Sequence, residues 1–582
     1  MEIFVPVEKM LKMTYLEQYA QHIINYSSRY NSSNSYSYAP INLVGKYAKY
    51  PSYGDFPEAY FLRSYGFWWK ESNARLEDYR TQDFDLLGAE DFVTLEFGSV
   101  VIPRDICIYE IYNPGAIIRI WGCIKGEKRW YLLWEGFPQK CMPRSRKFCP
   151  PLRKINCLID VVRLEFNQSH LEYHTSIDAV LLGGYQPDTE LQYCMIKKGL
   201  VEIKNEKTIK CHTVSDIEHK NCNIKPLKID YFSNLPHEIV LHIFHYLDLK
   251  SLSRCAQVNR KWNQISGDQS LYQNISFKIY WYLVDDGTLK HFTDTCTNIR
   301  KLDLSWCNTN QLFHHKLNHE YQKSLKRLLS KNQTTLSHLN LNDNYFVDNE
   351  LMYTISECSE LIDLRLHHTH RWSTAPLEDL HKLVTLDLSL TQIHDSDLIK
   401  IIKANPNLEN LILDLCEHLV QLDHVIEVVV KYAKNLKTWS SWKTVSFTSE
   451  GLKNFQYLSN LEELDLGWCL ISSDPGNCLL EIASGCKKLR RLVLSEWRGA
   501  SDQLIMPVIL SCKELSQLDL LGIKNITSEL CEKILLLLPK LRLLDISFCD
   551  TVRHDEVQIW RQQYPHITIQ RSCQFVVTDY LT

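Results

Sequence analysis

The sequence predicts a multidomain chain: a β-sandwich, then a short helical bundle, then an α/β solenoid of leucine-rich repeats. Three observations point there. At 582 residues the chain is too long for a single hydrophobic core. From about Asp91 to Tyr185 the apolar residues alternate with a period of two, as half-buried strands require. From Asn298 to Arg571 a strand signature, L-x-x-L-x-L, recurs about every 26 residues.

Residues 1–55 form a first unit. Leu11, Tyr15, Leu16, Tyr19, Ile23 and Ile24 follow a helical spacing and predict a helix over 8–26. That helix would dock on its own protein or on a partner or membrane surface. Ser27–Tyr38 is polar and biased in composition and reads as a loop. The sandwich is expected within 56–203, with strands at Asp91–Gly98, Ile106–Tyr112, Ala116–Cys123, Arg129–Trp134, Val161–Phe166 and Ile177–Leu182. Tyr112-Asn113-Pro114-Gly115 makes a tight turn, because Pro sets φ and Gly accepts a positive one. The runs Phe92-Val93-Thr94-Leu95-Glu96-Phe97 and Ile177–Gly183 make this part resemble a discoidin, or galactose-binding-like, jelly roll. The resemblance implies loops at one end that meet a sugar, a lipid headgroup or a protein. Residues 204–228 have mixed charge and few apolar side chains and read as a linker.

The solenoid is expected over 278–582, closed by a C-terminal cap. Its second leucines are Leu302, Leu339, Leu364, Leu386, Leu411, Leu464, Leu492, Leu518 and Leu544, and a degenerate repeat at Leu436 with Trp439 and Trp442 makes ten. Cys307, Cys416, Cys469 and Cys549 follow strands, and Cys358, Cys486 and Cys512 precede them. One thiol per turn along a rod cannot converge on a metal, so these read as reduced thiols packed as small hydrophobes. No metal or cofactor is expected. His367, His368 and His370 read as a solvated turn. The residue between the two strand leucines faces the concave side and is often acidic: Asp303, Asp387, Asp465, Asp519 and Asp545. Asp465, Asp519 and Asp545, with Trp468 and Phe548 at the strand ends, are the candidate substrate-binding residues, suited to a basic or neutral segment. Asp at this position also serves neighbouring turns, and that structural reading stays open.

Residues 229–277 join the two halves. Pro236 suits a first helical turn, and Ile239, Ile243, Phe244 and Leu247 follow it at helical spacing. Leu252, Cys255, Ala256, Val258 and Trp262 supply the apolar side of two further helices. The order Leu-Pro-x-Glu, Ile-Phe, Leu, then Ser251–Trp262 resembles the F-box, and with cysteine-type repeats behind it the chain resembles the F-box/leucine-rich-repeat family. The resemblance implies a non-catalytic substrate receptor of a ubiquitin ligase. Leu235, Pro236, Glu238, Ile239, Ile243, Phe244 and Leu247 would hold the Skp adaptor of a cullin-RING ligase, and the solenoid a protein substrate. Tyr26–Tyr30, Ser52–Phe56, Asn113–Ala116, Leu461–Cys469 and Leu544–Cys549 further resemble a mitochondrial member of that family. This implies restraint of mitophagy through turnover of outer-membrane mitophagy receptors.

Net charge is −4, which gives no whole-chain support for nucleic-acid binding. No apolar run reaches the roughly 18 residues of a membrane span. The first 28 residues set Lys9 and Lys12 against Glu2, Glu8 and Glu17, without arginine, unlike the basic leader of the mitochondrial member. The expected location is therefore cytoplasmic and peripheral on the mitochondrial outer membrane, with the nucleus as an alternative. Nucleotide, zinc-protease and serine-hydrolase motifs are missing from supporting contexts. Two rival readings remain: a repeat scaffold without a ligase, and a sugar-processing enzyme, for which no carboxylate pair is marked.

Overall fold

The computed structural model describes residues 13–30, 36–73, 75, 88–127, 129–187, 235–307, 315–369, 372–470 and 474–572. The expected linker at 204–228, the approach to the bundle at Tyr231–Asn234, His370 and Leu11 lie outside these residues.

The N-terminal half is an eight-stranded sheet. Its strands are β1 (Thr14–Tyr26), β2 (Tyr60–Phe61), β3 (Asp91–Tyr112), β4 (Ile117–Cys123), β5 (Tyr131–Glu135), β6 (Arg146–Phe148), β7 (Ile159–Phe166) and β8 (Ser176–Gln186). A short helix, α1 (Gly66–Glu71), follows β2. All pairings are antiparallel, in the order β2-β8-β1-β3-β7-β4-β5, with β6 beside β3. The first half of β3 pairs with β7 and the second half with β8, so one long strand passes between two layers. Val93, Leu95, Ile106, Ile108, Leu164 and Leu182 from both layers share one core.

The helix expected at 8–26 is a strand where it is described. β1 pairs with β8 over Thr14–Tyr19 and with β3 over Ala20–Tyr26. Residues four apart share a face in a helix, but they also share a face in a strand, so Tyr15, Tyr19 and Ile23 could not decide between them. The aromatic and β-branched content favours the sheet. Leu16 and Ala20 point inward, and register shifts after Ala20 and Ile23 bring Ile23 and Tyr26 to the same core. The sandwich thus begins at Thr14, and a boundary at residue 56 falls inside it. A disulfide joins Cys107 on β3 to Cys149 just past β6, so the reduced-thiol reading holds for the seven repeat cysteines, which are free and buried, but not for this pair.

Three short helices follow: α2 (His237–Phe244), α3 (Leu249–Cys255) and α4 (Arg260–Ser266). Asp248 caps α3 by accepting from the Ser251 N–H at 2.8 Å, and Asn259 caps α4 by accepting from Trp262 at 2.8 Å.

The C-terminal half is a twelve-stranded, wholly parallel sheet. Its strands are β9 (Asn274–Ser276), β10 (Lys301–Asp303), β11 (His338–Asn340), β12 (Asp363–Arg365), β13 (Thr385–Asp387) and β14 (Asn410–Ile412). They continue as β15 (Thr438–Ser440), β16 (Glu463–Asp465), β17 (Arg491–Val493), β18 (Gln517–Asp519), β19 (Leu543–Asp545) and β20 (Thr568–Gln570). The strand leucines stack in register from Leu302 to Leu544, with Trp439 filling that place in β15. Three residues past the strand the chain turns through a left-handed residue in repeat after repeat, among them Trp306, His368, Lys443, Trp468, Gly522 and Phe548. Among the described residues no helix is long and apolar enough to cross a membrane.

Candidate functional site

Two surfaces bear on function: the outside of the helical bundle and the concave side of the solenoid. In α2 the side chains divide by face. Val240 and Phe244, four apart, are buried with Leu252, Ile265 and Leu271, and Phe244 meets Trp262 edge-on with ring centroids 5.5 Å apart. Ile239, 47% exposed, and Tyr246, 55% exposed, point the other way, beside exposed Pro236 and Glu238 and half-buried Leu235, Ile243 and Leu247. Val258, after α3, is 59% exposed. A bundle this small that leaves Ile239, Tyr246 and Val258 in water presents an apolar surface for a partner. Its other side is seated on the first repeat, where the Tyr280 hydroxyl donates to Asp248 at 2.6 Å.

The concave side of the solenoid is occupied by the chain's own sandwich, from the first strands to the last. At the β9 end the Arg163 guanidinium lies between Phe92 and Trp281, 3.7 and 3.6 Å from the ring centroids, while the Trp281 indole N–H donates to Glu165 at 2.7 Å. Burial lowers Arg163 to about 10, against the pull of Glu165. In the middle, Arg63 bridges Asp414 and Asp465, the latter at 2.8 Å, and stacks 3.9 Å over Trp442. Tyr30, Tyr38 and Phe61 form a cluster there with Leu390, Leu415 and Trp442. Ser72 donates to Glu463 at 2.7 Å and Arg491 stacks 3.7 Å over Trp68. At the far end Tyr173 donates to Asp545, and Thr568 to Glu172 at 2.7 Å. Aromatic stacking, charged pairs and a shared apolar core make this a fixed seat.

The acidic row lies under that seat. Asp465 is 1% exposed and Asp545 1%, and each also accepts from a backbone N–H two residues on, Gly467 at 3.1 Å and Ser547 at 2.8 Å. Burial, with Asp545 nearby, raises Asp519 to about 8, and burial raises Asp545 to about 6. Lys443 sits 4.3–4.6 Å from the rings of Tyr30, Trp442 and Trp468, and burial first, then Arg63, lower it to about 6.

With the geometry in place, comparison with known proteins is informative. A family model described as F-box-like matches residues 232–278. F-box/LRR-repeat protein 4 of Bos taurus is 29% identical over 520 residues, spanning 86% of this chain and 82% of that protein. The chain is thus similar to F-box/leucine-rich-repeat proteins over most of its length. F-box/LRR-repeat protein 5 of Xenopus tropicalis is 44% identical over 48 residues, 8% of this chain and 7% of that one. Solved structures are more distant. The yeast Rad7 and Elc1 complex covers 66% of this chain and 98% of its own at 16% identity and TM-score 0.38. An internalin from Listeria monocytogenes covers 48% and 69% at 18% identity and TM-score 0.35.

Several sequence expectations change. Phe244 is 1% exposed and belongs to the core of the F-box, not to its outer surface. Asp465, Asp519 and Asp545 are covered by the sandwich, and Trp468 donates from its indole to the Tyr30 hydroxyl at 3.1 Å. The three aspartates are therefore covered in this structure, while Trp468 and Phe548 remain half-buried. His367 and His368 are not a solvated turn. His367 meets the Ser27 carbonyl at 3.1 Å, and His368, 6% exposed, stacks on Tyr26 and faces Asp343 at 3.0 Å. Sequence reasoning missed the groups that make the seat, above all Arg63, Arg163 and Tyr173. The only local signal was in a stretch read as a polar loop, which carries Tyr30 and Tyr38 to the interface.

Proposed function

We propose that this chain is the substrate-recognition subunit of a Skp–cullin–F-box ubiquitin ligase, holding the Skp adaptor through Leu235, Pro236, Glu238, Ile239, Ile243 and Leu247. The observation that carries the reading is the apolar outer face of the F-box, with Ile239 and Val258 exposed beside a well-packed inner core. Nothing catalytic is asked of the chain. The ligase partners supply the activated ubiquitin, and the receptor raises the local concentration of a target lysine. The stretches similar to the mitochondrial member extend the proposal to restraint of mitophagy, through turnover of outer-membrane mitophagy receptors by a peripherally bound protein. The sandwich is read as discoidin-type, and because it fills the concave row, the substrate is expected on surfaces that the sandwich and the solenoid leave open together.

The test is copurification with the Skp adaptor. Leu235→Ala with Pro236→Ala is expected to cost about tenfold or more in adaptor affinity while the solenoid stays folded. Wild-type capture by this double variant would sink the adaptor reading and leave a repeat scaffold without a ligase.

A further inference from the structure

The sandwich covers the middle of the concave sheet but not the edge where β9 to β14 begin. There a groove of about 820 Å³ stays open between the two domains. Ser72, Asn73 and Arg75, which follow α1, form one wall, and the first residues of the strands, from Asn274 to Asn410, form the other. Six strands make five steps of about 4.8 Å, roughly 24 Å in all, the length of about seven residues of extended chain. The sandwich-side wall is fixed. The Ser72 hydroxyl and the Asn73 N–H both donate to Glu463 at 2.7 Å, and the Arg365 guanidinium donates to the Arg75 carbonyl at 3.4 Å. Little ordering therefore remains to be done on binding.

The charge of the groove is one-sided. Lys70, Arg75, Lys301 and Arg365 line it with His338, against a single carboxylate, Asp363, among the described lining residues. Asp363 is held by Arg365 through two bonds of 2.8 and 3.0 Å and does not offset the rest. Arg75 also reaches Glu90 at 3.6 Å, and the balance stays positive. The floor supplies an independent observation. Asn410 is 9% exposed, and its amide nitrogen donates to the Thr385 hydroxyl at 3.0 Å. Its Oδ1 has no hydrogen-bond partner among the described residues. A buried acceptor without a donor is unfavourable, and the backbone N–H of a bound peptide would satisfy it. An oligonucleotide would meet the cations, but its sugar-phosphate backbone carries no N–H to offer Asn410.

We infer that this edge groove is a docking surface for an extended, acidic peptide segment of the protein substrate. That the bound protein is a substrate rests on the receptor reading above; the place and charge of the groove do not. The sign is opposite to that of the basic or neutral segment expected for the acidic row, which the sandwich covers. The position suits a ligase. Asn274, at one end of the groove, lies two residues after Tyr272, which packs on the F-box core. A segment held there keeps its protein beside the F-box and not at the far end of the solenoid.

The test is fluorescence anisotropy of the full chain with labelled peptides of about eight residues, one alternating Glu and Ser, the other Lys and Ser. The expected result is binding of the Glu peptide only, weakened by salt. Lys70→Glu with Lys301→Glu should lower its affinity about tenfold or more. Lys70→Glu alone, at an exposed side chain that leaves the fold intact, should lower it about threefold. Asn410→Leu should lower it about fivefold by removing the acceptor. Equal binding of the Lys peptide, or wild-type affinity in both charge-reversal variants, overturns the inference. So does tighter binding of a single-stranded RNA of the same length. Adaptor capture is measured on the same preparations. Binding of the Glu peptide by a chain that captures no adaptor would uphold the groove and sink the ligase reading instead.

Discussion

Arg63 holds together residues that are far apart in sequence. Its guanidinium reaches two carboxylates, Asp414 and Asp465, from a part of the chain more than 350 positions away. Burial works against its charge, but the two carboxylates outweigh that effect and keep it protonated. A contact of that range leaves no periodic trace, which is why the acidic row could be read from the sequence while its partner could not. The row itself has a titration consequence. Asp519 rises from 3.8 to about 8, first through burial and then through Asp545. Its folded state therefore holds a proton that the unfolded chain has released. That contribution is full below the unfolded value and is lost as pH rises toward about 8. Lys443, lowered to about 6, acts in the opposite sense. The informative quantity is thus the difference between Asp519→Asn and wild type: the variant's Tm should gain on the wild type by about a few °C between pH 5 and pH 8. Parallel Tm curves across that range would show that Asp519 is ionised in the folded protein.

At the scale of elements, the repeats were the most legible part, because stacked leucines at a fixed period have one structural meaning. β1 was the least legible. Its every-fourth-residue pattern fits both a helix and one face of a strand, and only the pairing with β3 and β8 decides. Within α2 the pattern gave the helix but not the division of its faces, which depends on where α3 and α4 pack. Neighbouring residues now separate the two roles. Val240→Asp buries a carboxylate among Leu252 and Ile265 and should destabilise the F-box by about 3–5 kcal/mol, removing adaptor binding through unfolding. Ile239→Asp, on the exposed face, should leave stability within about 0.5 kcal/mol and still reduce adaptor capture. Hydrogen exchange across residues 237–266 checks this, and equal loss of protection in both variants would place Ile239 in the core as well.

For the whole molecule, the two large domains behave as one body because each completes the other's surface. Phe92, Trp121 and Trp130 of the sandwich belong to the same apolar cluster as Ile275, Trp281 and the strand leucines of the solenoid. The concave side that a solenoid might have offered to a partner is thus used internally, and the chain should melt as a single cooperative unit. Asp465 is the sharpest place to test that. It accepts from Arg63 at 2.8 Å and from Arg491 at 3.0 Å while 1% exposed. Asp465→Lys would set three cations against one another in a dry interface, where breaking a buried pair costs about 3–5 kcal/mol. The sandwich should then loosen from the middle of the solenoid while each domain keeps its own core. Calorimetry should show the single transition splitting into two, with faster hydrogen exchange over Tyr60–Arg63 and Trp439–Trp442. Adaptor binding should not change, since the F-box lies at the β9 end. One transition at the wild-type temperature would mean that the seat contributes little, and the acidic row would return as a candidate surface for substrate.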